Sequence, residues 1–89
     1  MKIRYKAAFL KAITKINDTR LKNEIAEAIE LLENAEKITQ IANLKKLKNT
    51  RNDYRIRLGD YRIGIRLEDD TVIFAAFAHR KDFYRFFPR

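Results

Sequence analysis

Residues 54–66 read YRIRLGDYRIGIR. Two alternating runs flank Gly59-Asp60. Period-two alternation of apolar and polar residues marks a half-buried strand. A two-residue connection that opens on glycine marks a type II′ hairpin. Tyr54, Ile56 and Leu58 then share one face with Tyr61, Ile63, Ile65 and Leu67. The other face carries Arg55, Arg57, Arg62, Gly64 and Arg66. The short loop also sets the register: Leu58 faces Tyr61, Arg57 faces Arg62, Arg55 faces Gly64, and Arg66 faces Asp53 as an ion pair. Like charges directly opposite one another destabilise a sheet. Arg57 beside Arg62 therefore asks for an anion that the hairpin does not supply. Gly64 leaves open floor beside Arg55.

Outward from the hairpin, the elements follow in order. MKIRY (1–5) alternates as a first strand. Ala8, Phe9, Ala12, Ile13 and Ile16 share one face of a helix over 6–16. Asn17-Asp18-Thr19 offers capping side chains for a second helix over 19–34. There Leu21, Ile25, Ala28, Leu32 and Ala35 step by four and three, with Glu24, Glu27, Glu30 and Glu33 on the outer flank. EKITQIAN (36–43) reads as a loop with one helical turn, LKKLK (44–48) as a second strand, and 49–53 as a polar loop. After the hairpin, Glu68–Thr71 turns into an apolar strand over 72–79, then a basic-aromatic tail, HRKDFYRFFPR. This order predicts one α+β domain over 1–89. An N-terminal strand and a two-helix hairpin pack on one face of a small antiparallel sheet.

Composition narrows the chemistry. The net charge is +8 over 89 residues. Residues 44–66 hold eight bases against two acids, while 17–43 hold six acids against three bases. A basic block this dense fits a polyanion partner better than general solubility. The chain has neither cysteine nor serine, so a hydrolase with either nucleophile is excluded. The lone His79 cannot build a metal site by itself, and no metal or cofactor is expected. The longest apolar run, VIFAAFA (72–78), is too short to span a bilayer as a helix. Lys11 and Lys15 interrupt any signal core near the N-terminus. A cytoplasmic protein without a membrane segment is the expectation.

Arg55, Arg57 and Arg62 without matching acids suit phosphate, because guanidinium donates two parallel hydrogen bonds. Arg80 ends the last strand where the sheet face opens. His79 is either a reactive group at that strand end or a packed strand residue. Phe83 and Phe87 suit the core; Tyr84 and Phe86 either stack on bases or close the core. The chemistry left open is RNA cleavage by its own 2′-OH. That reaction needs a base, cations on the scissile phosphate and an acid at the leaving 5′ oxygen. Arginine supplies the cations but not the base, since guanidinium does not deprotonate.

The run LKKLKNTRNDYRIRLGDYRIGIRLEDDTVIFAAFAHRKDFYRFFPR (44–89), with the two-helix pattern before it, resembles the RelE/ParE superfamily of bacterial and archaeal toxins. The recurrent pattern is a Leu-Lys strand, a Tyr-Arg-Ile-Arg strand, a Gly-Asp-Tyr-Arg hairpin, then His-Arg and a late tyrosine. The resemblance implies a microbial-ribonuclease-like RelE fold. In the RelE branch it implies an mRNA endonuclease that works in the ribosomal A site. It also implies a RelB-like antitoxin with an acidic toxin-binding segment, held in a hetero-oligomer. The ParE branch shares the fold, poisons DNA gyrase and lacks the nuclease residues. A non-catalytic RNA-binding module is a third reading of the charge.

By position, Arg62 and Arg80 match family arginines expected on the scissile phosphate. Arg55 and Arg57 stand where the RelE type has two lysines, one of them a candidate base. Lys48, His79 or Tyr84 then takes that role, or catalysis leans on positioning and charge. Tyr84, or else Phe86, matches the C-terminal tyrosine that stacks at the substrate base. Lys45, Lys46, Lys48, Arg51, Arg85 and Phe86 are the expected RNA-binding surroundings.

Overall fold

The computed structural model describes residues 1–88. The alternating hairpin folds as read: β3 (Asp53–Leu58) and β4 (Tyr61–Glu68) pair antiparallel, with Leu58 opposite Tyr61, Arg57 opposite Arg62, Arg55 opposite Gly64 and Asp53 opposite Arg66. Gly59 has φ +58°, while Asp60 is not among the residues of positive φ. That is the pattern a type II′ turn requires. Asp53 is buried, and its carboxylate accepts from Arg66 Nε at 2.7 Å and Nη2 at 3.2 Å.

β1 (Lys2–Tyr5), β2 (Leu44–Lys46) and β5 (Thr71–His79) complete a five-stranded sheet in the order β1-β5-β4-β3-β2. The expected antiparallel sheet gains one parallel edge, because β1 lies alongside β5 in the same direction. A helical hairpin between β1 and the rest of the sheet lets the chain cross over, and a parallel pair needs such a crossover.

That hairpin is α1 (Ala7–Ile13) and α2 (Thr19–Asn34). α2 has the expected bounds. Asp18 caps it, its Oδ1 accepting from Arg20 N at 2.9 Å and Leu21 N at 3.3 Å. Leu21, Ile25, Ala28 and Leu32 are buried on its inner face. α1 stops three residues earlier than the apolar spacing suggests. Thr14 Oγ1 takes the Lys11 carbonyl at 2.7 Å, and the following amides reach back only three residues, to Ala12 and Ile13. A single 3₁₀ turn, Ile38–Gln40, occupies the ambiguous segment before β2. β2 is three residues, not five, because Leu47 turns into a loop in which Thr50 Oγ1 holds its carbonyl.

The helices and one sheet face enclose the main core, with Phe9, Leu21, Leu32, Ile56, Ile63, Ile65, Phe74 and Phe77 inside. A bulge between β4 and β5 makes Gly64 face Ala76 but Ile65 face Phe74. Phe74 and Phe77 thereby enter the same core although three residues apart. The opposite face is not left open. The tail folds into one helical turn, α3 (Phe83–Phe86), and Phe83 and Phe87 form a second small core with Leu47, Ala75 and Ala76. The expected floor beside Arg55 is therefore occupied: the Phe87 ring lies over Gly64. Both faces of VIFAAFA are covered, as an apolar run on both sides demands.

Candidate phosphate-binding face

Alternation along β3 and β4 turns Arg55, Arg57 and Arg62 away from the helices. The register arranges them in two rows across the sheet. Lys45, Arg55, Gly64 and Ala76 make one row; Arg57, Arg62 and Ala78 make the other. Arg62 is the centre. Burial, and then the like charges of Arg55, Arg57 and Arg80, push its guanidinium below its ordinary value, while Tyr84 pulls the other way. The guanidinium stays protonated, so its discomfort is relieved by an anion rather than by loss of a proton. Its Nη1 donates to the carbonyls of Gly59 at 2.7 Å and Tyr61 at 2.9 Å.

Arg80 follows β5. Its amide donates to Asp60 O at 2.7 Å, and its Nε stands 3.7 Å from Asp60 Oδ1. Tyr84 is 63% exposed and packs edge-on against buried Phe83. Its ring is thus presented on a fixed base. A cleft of about 340 Å³ opens beside the cluster, bordered by Lys45, Lys46, Lys48, Arg55, Tyr84 and Pro88. Cations around an aromatic ring suit a nucleotide: charge for phosphate, a flat face for the base.

The structure brings Arg55, Arg57, Arg62, Arg80 and Tyr84 together, with Lys45, Lys46 and Lys48 at the adjoining cleft. Lys46 also donates to the Thr50 carbonyl. Of the other expected site residues, His79 lies apart from the cluster. His79 pairs with Tyr61 on the helix side of the sheet, their rings edge-on at 5.4 Å, and its Nδ1 accepts from Lys81 N at 3.2 Å. It therefore faces away from the arginines. Arg51 is exposed in the loop before β3, Arg85 stands 3.7 Å from Asp82, and Phe86 is exposed on α3. One contact that shapes the site escaped the sequence reading, that of Asp60 with Arg80; Gly64, expected to leave open floor, instead admits Phe87. A lone glycine inside a strand signals a close approach, and that signal was available at Gly64.

The sequence profile described as "ParE toxin of type II toxin-antitoxin system, parDE" matches residues 3–84. Toxin RelE3 of Methanocaldococcus jannaschii is 36% identical over 89 residues, which is 99% of this chain and 100% of the relative. The solved RelB-RelE antitoxin-toxin complex from Methanococcus jannaschii contains a chain with TM-score 0.81 and 34% identity, covering 96% of this chain and 99% of that one. The intact E. coli RelBE toxin-antitoxin complex shares the fold at TM-score 0.65 and 23% identity, over 88% of this chain and 94% of that one. With a profile match over nearly its whole length and a full-length relative at this identity, the chain belongs to the RelE/ParE superfamily of type II toxin–antitoxin toxins.

Proposed function

We propose that this chain is the toxin of a type II pair and an endoribonuclease that cuts mRNA in the ribosomal A site. The observation that carries this reading is the convergence of Arg55, Arg57, Arg62 and Arg80 beside Tyr84, with Asp60 the one acid in contact among the described residues. In the reaction, a base takes the proton of the 2′-OH. The oxygen attacks phosphorus, and the 5′ oxygen leaves with a proton. A 2′,3′-cyclic phosphate and a 5′-OH remain. Arg62 and Arg80 take the non-bridging oxygens, whose charge grows in the transition state. Tyr84 stacks on the adjacent base. Of the three side chains that could serve as base, Lys48 and Tyr84 border the cleft, and His79 lies across the sheet. No step asks for a metal ion.

The partner is a RelB-like antitoxin whose acidic segment covers the basic face. Charge complementarity steers such an encounter. Relatives solved as RelB-RelE complexes support this partner. The site of action is the cytoplasm, where translating ribosomes are. No helix among the described residues is long and apolar enough to cross a membrane.

Induced expression should halt translation and leave cuts inside translated mRNA, mapped by primer extension. R62A or R80A should each lower the single-turnover rate on programmed ribosomes about 10²–10³-fold. If both retain the full rate, the assignment is wrong. The profile match to ParE toxins and the arginines at 55 and 57 favour one alternative, a gyrase-directed toxin. Cleaved gyrase–DNA complexes with intact mRNA would decide for it. Ribosome binding without cuts would decide for a non-catalytic RNA-binding module.

A further inference from the structure

Asp60 is an anomaly. It is an exposed carboxylate at the tip of the β3–β4 turn, beside a cluster of cations that should attract phosphate. Electrostatics alone disfavours an acid there, because it repels the same anion. Stability does not explain it either: both side chains of the Asp60–Arg80 pair are more than half exposed, and exposed pairs add little.

The turn does something more specific. Its backbone and one side chain hold both candidate phosphate arginines. Gly59 O and Tyr61 O engage a single nitrogen of Arg62, Nη1, and leave Nη2 and Nε unengaged among the bonds of that side chain described above. Asp60 O takes the Arg80 amide at 2.7 Å, and Asp60 Oδ1 stands nearest Arg80 at Nε, 3.7 Å away. A guanidinium approached at Nε still presents both Nη groups outward, the edge that grips phosphate oxygens in pairs. A contact at 3.7 Å is longer than a hydrogen bond. Such contacts tighten when substrate loads the site.

We infer that Asp60 is a positioning residue: its carboxylate orients Arg80 so that the Nη edge faces the scissile phosphate beside Arg62. This rests on the nuclease reading above. A shift of about 1 Å in a positioned group can cost on the order of 10²-fold in rate.

The test is a cycle of D60N, R80A and the double variant, in single-turnover cleavage on programmed ribosomes. D60N should lower the maximal rate on the order of 10–10²-fold and leave the half-saturating toxin concentration unchanged. D60E should recover part of the loss. In the R80A background, D60N should cost nothing further. The opposite sign is equally informative: if D60N cleaves faster or binds tighter, Asp60 is only a stray negative charge. Additive losses would also overturn the inference. If R80A keeps the full rate, the nuclease site itself is misassigned. A separate readout distinguishes these failures. In the free protein, D60N should move the Arg80 Nε–H resonance and leave the backbone amides of β4 and β5 in place. An unmoved resonance means there is no contact to act through, whatever the reaction.

Discussion

A Cβ on Gly64 would lie 2.6 Å from the ring of Phe87. The two residues are far apart in sequence, and their contact clamps the tail onto the sheet. Phe83 and Phe87 then anchor the single turn that presents Tyr84 to the arginines. Gly64→Ala must push the ring out of its seat. Overpacking of this kind costs about 1–3 kcal/mol, and each kcal/mol lowers Tm by about 4–8 °C in a domain this small. The melting curve of G64A should shift down accordingly, and its toxicity on induction should fall with it. An unchanged melting curve would mean the tail is not clamped there.

Arg57 and Arg62 are direct cross-strand neighbours of like charge. Their repulsion burdens the free protein and is relieved by a bound anion. Two outcomes follow for thermal unfolding at low salt. Inorganic phosphate should raise the Tm of the wild type, by mass action on the folded state. R57Q should melt no lower than wild type without phosphate and gain less from adding it. Salt screens exposed charges within about 10 Å at 0.1 M, so the R57Q difference should shrink as sodium chloride rises. A wild type indifferent to phosphate at low salt would remove the anion site.

How much of this was legible beforehand depended on what fixed each feature locally. The β3–β4 register could be read because a two-residue turn leaves no freedom: Arg57 opposite Arg62 and Asp53 opposite Arg66 both follow from Gly59-Asp60. α2 could be read because its glutamates contrast with its buried leucines and isoleucines. The β5 strand offered no such contrast. VIFAAFA is apolar on both sides, so nothing on β5 marked the bulge at Gly64/Ile65; only Gly64 on β4 carried a signal. Nor did the strand itself say which face His79 takes. Its partner Tyr61 decides that, through a pairing with no local signal. Arg80 is held at the site by the β3–β4 turn through Asp60, whereas Tyr84 reaches it because the tail returns across the sheet, and that return depends on Phe87 meeting Gly64, residues distant in the chain.

Tyr5 gives a pH dependence separable from the site. It stacks on Phe9 at 6.0 Å and lies 5.7 Å from Phe74. Burial, and then Glu33, raise its phenol above the ordinary value of 10.0. A group whose folded value is raised contributes stability that is complete below the unfolded value. That contribution is lost as pH climbs through the folded one. Wild type should therefore lose stability above pH 10.0 more steeply than Y5F, with the two matching near neutrality. Urea midpoints across the alkaline range check this. Parallel alkaline limbs would show that Tyr5 titrates as it does in the unfolded chain.

The arginines at 55 and 57 pose the sharpest mechanistic question, because neither can lose a proton. Arg57 stands directly across from Arg62. A lysine there would keep the positive charge at low pH. Surrounded by Arg55, Arg62 and Arg80, its ammonium would be pushed below the ordinary lysine range by like charge. R57K should therefore introduce a titrating amine beside the scissile phosphate. If that amine reaches the 2′-OH, general-base catalysis is worth about 10²–10⁴-fold. The loss of the planar fork works against it, so the maximal rate alone is a poor readout. The pH–rate profile is the better one. Single-turnover cleavage by R57K should acquire a limb that rises with pH as the amine deprotonates, at lower pH than any limb that Lys48 or Tyr84 gives the wild type. The same limb in both proteins would place the base elsewhere, at Tyr84 or Lys48. A profile for R57K without any rising limb would show that a base at 57 stands too far from the 2′-OH. Wild-type catalysis would then owe its rate to charge and positioning at Arg62 and Arg80.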